Sequence, residues 1–256
     1  MKMQDIAGEA SLDPKVNRSV EGAFQAYTVK DFLALDHPRA NAGAEGTKPN
    51  GETVVVWGGS TSVGGNAIQL AVAAGYSVVT TASPRNFDYV KSLGASHVFD
   101  YRSRTVVAEI VALLQKKPVA GAIAVGNGST EACIDVLSKT KSPGMVAQIS
   151  FPWPDKVPSG GIRLFMSMLY LAWWNVAVAF KSKMTGVKAN FVFGSSLFEN
   201  EVSTAIYKDF LPEALQQSKY VAAPPPQVVG DGLENIQKAL DLQMEGVSAK
   251  KIVVTL

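Results

Sequence analysis

The chain has 256 residues, 47% of them hydrophobic and 18% charged, so it carries enough apolar material for a large core and is not a disordered chain. Lys+Arg total 24 against Asp+Glu 22, a formal net charge of +2; so weak a field does not gather phosphates from a distance, and no nucleic-acid partner is expected. A lone cysteine, Cys133, and two histidines, His37 and His97, rule out a disulfide framework and a thiolate zinc site, and leave too few ligands for a catalytic zinc.

The start, Met1 to Gly8, lacks an apolar core of the kind a secretory signal needs, and a cytoplasmic protein is expected. Residues 20–29 read as a short strand pair. Residues 40–51, rich in Ala, Gly, Asn and Pro and without a period, read as a linker. Thr53 to Trp57 is a continuous apolar, β-branched run, as in a strand buried on both faces. A Gly/Ser/Thr turn follows at Gly58 to Ser62. Ala67, Leu70, Ala71 and Ala74 then recur at helical spacing, with Gly75 as the stop. Strands are expected at Tyr76–Thr81, His97–Asp100, Val119–Val125 and Met145–Ile149, with helices at Asn86–Leu93, Val106–Leu114 and 130–138 between them. This alternation predicts an α/β fold, a doubly wound parallel sheet covered on both faces.

Residues 164–180 form an uncharged, aromatic run flanked by Arg163 and Lys181. It reaches only the lower limit of about 17 residues for a membrane span. Trp173 and Trp174 lie at its middle instead of at its ends, unlike an aromatic belt. It reads as a helix over a substrate cleft or at a subunit contact, with membrane association the minority reading. Further on, Ala189 to Phe193 reads as a strand, and Val202, Ala205, Ile206 and Phe210 as one helix face. Pro224 to Pro226 reads as a rigid turn. Asp231 and Glu234 look like a capping box for a helix with Leu233, Ile236, Leu240 and Met244 on one face, and Ile252 to Leu256 as a terminal strand.

The turn Gly58-Gly59-Ser60-Thr61-Ser62-Val63-Gly64 lies between the first strand and the first helix, where a dinucleotide site is built. The usual G-x-G-x-x-G is not met, since Thr61 stands where the middle Gly belongs; Ser60, Thr61 and Ser62 offer hydroxyls to phosphate oxygens instead. The bland alternative is a plain helix cap. At the end of the second strand the chain reads Ala82-Ser83-Pro84-Arg85-Asn86, with no acid to hold a ribose 2′-OH. Ser83 and Arg85 suit a 2′-phosphate, which favours NADP over NAD, although an arginine is most often an ordinary solvated charge. Cys133, among apolar residues, reads as a small buried hydrophobe.

Val54 to Ala71, Ala82 to Asp88, Ser92 to Ala95, Phe99 to Arg102, Phe193 to Leu197 and Ser248 to Lys251 together carry a resemblance. The chain resembles the medium-chain dehydrogenase/reductase superfamily, in its zinc-free branch of quinone oxidoreductases and trans-acting enoyl reductases. It looks most like fungal members labelled zinc-binding alcohol dehydrogenase-like. The likeness runs from about Gly51 to Leu256. It implies a Rossmann domain over 51–256, in which Gly59, Ser60, Thr61, Ser62 and Val63 hold the pyrophosphate and Ser83, Arg85 and Asn86 the 2′-phosphate. Tyr101 would lie on the adenine side, or simply pack at its strand end. Val125, Gly126, Ile149 and Ser150 would flank the nicotinamide ribose, and Phe193 and Gly194 the carboxamide. Residues 1–50 resemble only part of the GroES-like domain of such enzymes, so a residual, incomplete catalytic segment is expected there, with Tyr27 a speculative proton donor. The resemblance implies hydride transfer from NADPH to an activated C=C of an enoyl, enone or quinone substrate, and makes a homodimer plausible. The alternative is a truncated cofactor-binding remnant, or pseudoenzyme, without turnover.

Overall fold

The structure, a computed structural model, describes residues 49, 51–142, 144–152, 161–192 and 204–256. The strand pair expected at 20–29, the linker up to residue 48, the candidate donor Tyr27, and Phe193 and Gly194 lie outside the described residues.

The apolar runs form strands and the periodic runs form helices. In chain order these are β1 (Thr53–Trp57), α1 (Ser62–Ala73), β2 (Ser77–Ala82), a short 3-10 turn (Pro84–Asn86), α2 (Phe87–Ser92), β3 (His97–Asp100), α3 (Val106–Leu114), β4 (Val119–Ala124), α4 (Ser129–Lys139), β5 (Met145–Gln148), α5 (Gly161–Thr185) and β6 (Ala189–Phe191). The six strands form one sheet in the order β3-β2-β1-β4-β5-β6, and every neighbouring pair is parallel. This is the doubly wound, Rossmann-type sheet expected from the alternation of elements.

A parallel strand in the middle of such a sheet must be apolar on both faces. All five residues of β1 are buried. Val54 and Val56 join a core with Ile68, Leu70 and Ile123, and Val55 and Trp57 join a second core with Ile110, Leu114, Ile134 and Leu137. The two threonines of β2 are fully buried but not idle: Thr80 Oγ1 donates to the Val56 carbonyl at 2.6 Å, and Thr81 Oγ1 accepts from the Gly58 N–H at 3.0 Å. Buried hydroxyls without partners would each cost a lost hydrogen bond; here they stitch β2 to the end of β1.

The C-terminal part differs from the expectation in detail. A single π-helical turn (Ala205–Phe210) leads into α6 (Leu211–Gln216). Residues 220–223 are tied to α1: Gln69 exchanges hydrogen bonds with both backbone groups of Val221, Asn66 Nδ2 donates to the Ala223 carbonyl, and Tyr220 OH donates to Asn66 Oδ1. The expected rigid turn at Pro224–Pro226 runs straight into a strand, β7 (Pro226–Asp231), which pairs in parallel with β8 (Lys251–Thr255) as a separate two-stranded sheet. The proposed capping box at Asp231 and Glu234 is not formed. Thr255 Oγ1 donates to Asp231 Oδ1 at 2.6 Å, so the carboxylate is used across the two strands. The chain then enters α7 (Ile236–Glu245) through Gly232 at φ 93° and a 3-10 turn, and Gly246 ends it.

Ile123 lies on β4, fully buried beside β1. Ile123→Ala is expected to lower unfolding stability by about 2–5 kcal/mol through lost burial and the cavity left behind. Urea denaturation checks this: the midpoint should fall while the slope stays unchanged.

Candidate functional site

The site begins with the physics of the β1–α1 turn. Gly58 has φ +81°, a conformation that L side chains rarely adopt. A Cβ on Gly59 would lie 2.2 Å from Thr80 Oγ1, and one on Gly64 would lie 2.2 Å from the Gly58 carbonyl oxygen. These glycines therefore allow strand, turn and helix to close on one another, which is a role beyond giving a ligand access to the backbone. Thr61 completes the turn from both sides. Its Oγ1 donates to the Gly58 carbonyl at 2.8 Å and accepts from the Gly64 N–H at 3.0 Å, capping α1. The cap reading of this threonine holds, and its residue still borders the cleft. The N-terminus of α1, with its dipole, is thereby aimed at the strand ends, where anions are favoured.

A cleft of about 360 Å³ opens at the C-terminal edge of the sheet, from the end of β2 across β1 to the end of β4. Of the residues singled out in the sequence, Ser60, Thr61, Ser83, Arg85, Tyr101, Val125 and Gly126 line it together. Gly59, Ser62 and Val63 belong to the turn and the first turn of α1 without lining the cleft. Asn86 lies behind it, buried, with its Nδ2 donating to Ser248 Oγ at 2.9 Å. Ile149 is buried in the core beyond β5, and Ser150 acts from outside the cleft: its Oγ accepts from the Gly126 N–H at 3.1 Å and fixes the turn after β4 against the end of β5.

Sequence reasoning missed several lining residues. Trp57, Thr81, Asn127 and Val247 are among them, and Ser248, Ala249 and Arg102 had been given no role beyond the resemblance. The signal for Arg102 was its place beside Tyr101. Its Nε donates to Tyr101 OH at 3.2 Å, and its guanidinium carbon lies 5.3 Å from the ring centroid, a cation–π arrangement. Arg85 and Arg102 both border the cleft, no Asp or Glu lines it, and among the described residues neither arginine has an ion-pair partner. A cleft with two unpaired guanidiniums, seryl and threonyl hydroxyls and a helix N-terminus fits a ligand with several phosphate groups.

A metal fits less well. The Cys133 thiol is fully buried in the core, and burial, with Glu131 as a lesser contributor, pushes its pKa far above the usual thiol range. His97 is exposed on β3, away from Cys133, and His37 lies outside the described residues. Among the described residues no group of three His, Cys, Asp or Glu side chains is placed to hold a metal ion. Among the described residues the donor set does not fit a zinc.

Comparison with known proteins agrees with the fold. The family described as zinc-binding dehydrogenase matches residues 62–182. The chain is 42% identical to the dehydrogenase pigH of Monascus ruber, over 95% of this chain and 74% of that protein. It is 38% identical to the zinc-binding alcohol dehydrogenase domain-containing protein cipB of Emericella nidulans, over 99% of this chain and 79% of that protein. It is 34% identical to the trans-enoyl reductase himH of Aspergillus japonicus, over 87% of this chain and 57% of that protein. Among solved structures, CurA of Vibrio vulnificus in complex with NADPH superposes with a TM-score of 0.63 at 16% identity, over 100% of this chain and 67% of that one. A quinone oxidoreductase of Pseudomonas syringae pv. Tomato DC3000 gives 0.62 at 19% identity, over 92% and 62%. At these identities the structural likeness shows the fold alone.

The buried thiol yields a direct expectation. Cys133 in the folded protein should resist a thiol-reactive chromogenic disulfide and react only on unfolding; the rate of colour release in buffer and in denaturant checks it.

Proposed function

The chain belongs to the zinc-binding dehydrogenase family of the medium-chain dehydrogenase/reductase superfamily, among fungal dehydrogenases and trans-enoyl reductases, and from that membership we propose that it is an NADPH-dependent, zinc-independent reductase of activated C=C bonds. The substrate is an enoyl, enone or quinone compound. One observation carries the cofactor choice: Ser83, Arg85 and Arg102 meet on a cleft that no carboxylate lines. A ribose 2′-OH is held by an acid at this strand end, whereas a 2′-phosphate needs cations and hydroxyl donors.

When bound, the reduced nicotinamide supplies the hydride. The chain's residues bind and orient. Arg85, Arg102 and Ser83 hold the 2′-phosphate, and Tyr101, stiffened by Arg102, borders the adenine side. Ser60, Thr61 and the N-terminus of α1 hold the pyrophosphate. The Gly126–Ser150 hydrogen bond keeps the ends of β4 and β5 in register, where they would flank the nicotinamide ribose. Conjugation of the substrate makes the β-carbon electrophilic, so a metal is not needed to polarise it. The rival reading, a cofactor-binding protein without turnover, shares the whole of this cofactor site; fold and cofactor do not fix activity.

The test is a titration with NADPH and with NADH, followed by the protein's tryptophan fluorescence, to which Trp57 at the cleft contributes. NADPH is expected to bind far more tightly than NADH. Arg85→Ala removes a charge-assisted contact worth about 1.5–3 kcal/mol. It should weaken NADPH binding by about tenfold to a hundredfold and leave NADH within about threefold. Equal affinity for the two cofactors would overturn the 2′-phosphate assignment. NADPH binding without oxidation by any enone or quinone would favour the rival reading.

A further inference from the structure

Helix α5 is far longer than the strands it accompanies, and its packing shows where the excess goes. Trp174 Nε1 donates to Glu131 Oε1, in the first turn of α4. Lys181 Nζ meets Asp135 Oδ1 at 2.8 Å, one turn further along α4. The two helices therefore descend side by side from the C-terminal edge of the sheet, and Trp174 is level with that edge. Phe151, just past the end of β5, confirms the level: its ring lies 6.4 Å from Trp174, edge-on, and 4.1 Å from Phe191, stacked. Residues 161–172, about 18 Å of helix at 1.5 Å per residue, thus rise beyond the strand ends.

This projecting half is apolar nearly all round. Arg163 is its only charged residue, and Ile162, Phe165, Leu169 and Tyr170 are exposed. Leu171, Trp174 and Val178 form the stripe that faces the core. Helical periodicity carries that stripe upward through the half-buried Leu164, with the exposed Met168 at its flank, above the edge where Phe151 follows β5 and Phe191 ends β6. Leu169 lies on the opposite side of the helix.

We propose that Leu164 and Met168, with Phe151 below them, form the wall along which an extended apolar chain of the substrate lies, making α5 the element that sets substrate length and polarity. The inference rests on the reductase reading for what the chain is attached to. A lipid surface fits less well. Half of α5 is pinned to α4, which leaves too little helix to span a bilayer of about 30 Å. The free half has no charged face with which to lie in the headgroup plane. The wall is instead continuous with the edge where the redox end of the cofactor belongs.

The test uses the full chain with NADPH and two probe series. One is alkyl vinyl ketones from methyl to decyl, read as kcat/KM. The other is the corresponding saturated alkyl ethyl ketones, which cannot be reduced at a C=C, read as binding by tryptophan fluorescence. Both readouts should improve with chain length, by up to about fourfold per buried methylene. Leu164→Asp should flatten both series while NADPH affinity stays within about threefold. Leu169→Asp should keep the wild-type slope. If no vinyl ketone is turned over but the saturated series shows this same pattern, the reductase reading falls and the wall stands. A flat wild-type binding series, or a slope that both variants keep or both lose, overturns the wall. A flat series together with a wild-type dimer that Leu169→Asp converts to monomer assigns the exposed face to a second copy of the chain instead.

Discussion

The structure turns on the approach of α1 to the end of β1. Gly64 comes so close to the Gly58 carbonyl that a single methyl group would overlap it, and Gly59 stands as close to Thr80. Thr61 bridges the same junction with two hydrogen bonds. That closeness fixes the angle at which α1 leaves the sheet, and with it the direction of the helix dipole. It also brings Thr81 under the turn to receive the Gly58 N–H. The phosphate binding proposed for the cleft would then be a consequence of packing, because the donors are aimed by contacts made within the protein itself. A binding site built in this way is organised before any ligand arrives, so little ordering free energy is spent on binding.

How legible this was in the sequence depended on whether local or distant partners decide a residue's role. The six parallel strands and their helices were legible because burial on both faces demands continuous apolar runs, and Val54, Val55 and Val56 satisfy no other arrangement as well. The place of the turn and of Ser83 and Arg85 at the cleft was legible because it follows from position along a βαβ unit. Asn127 and Val247 were not, since each reaches the cleft from an element whose spacing says nothing of its neighbours across the site, and Arg102 was legible only as the neighbour of Tyr101. β7 was hidden behind Pro224 to Pro226, which punctuate the sequence as a turn, while its pairing with β8 is a contact between distant segments. Asp231 is the instructive miss. A carboxylate three residues before Glu234 has the pattern of a cap, but Thr255 from the neighbouring strand competes for it and wins.

Charge gives a similar contrast between the global and the local. A net charge of +2 predicts no attraction for anions at a distance. The cleft nevertheless holds two guanidiniums without a carboxylate on its lining. Screening by salt within about 10 Å makes the local arrangement decisive and the total nearly irrelevant for a ligand already in the cleft. Arg102 is also restrained by Tyr101, so less side-chain freedom is lost when it engages a phosphate than a free arginine would lose.

The proposed cofactor cleft does not by itself separate an enzyme from a protein that only binds its cofactor, and the feature that bears on this lies at the other end of the sheet edge. Trp174 is 5% exposed where it meets α4, while the adjacent Trp173 is 64% exposed. On the half of α5 that rises past the strand ends, the half-buried Leu164 and the exposed Met168 add nothing to the stability of the sheet below them. A contiguous apolar surface of this kind lowers solubility unless something covers it in the working state. A second copy of the chain would cover the outward side of the helix, and an apolar substrate chain the side above the strand ends. A protein that must draw an apolar molecule to the strand ends, and shield a hydride transfer from water there, requires a surface of this chemistry at this place.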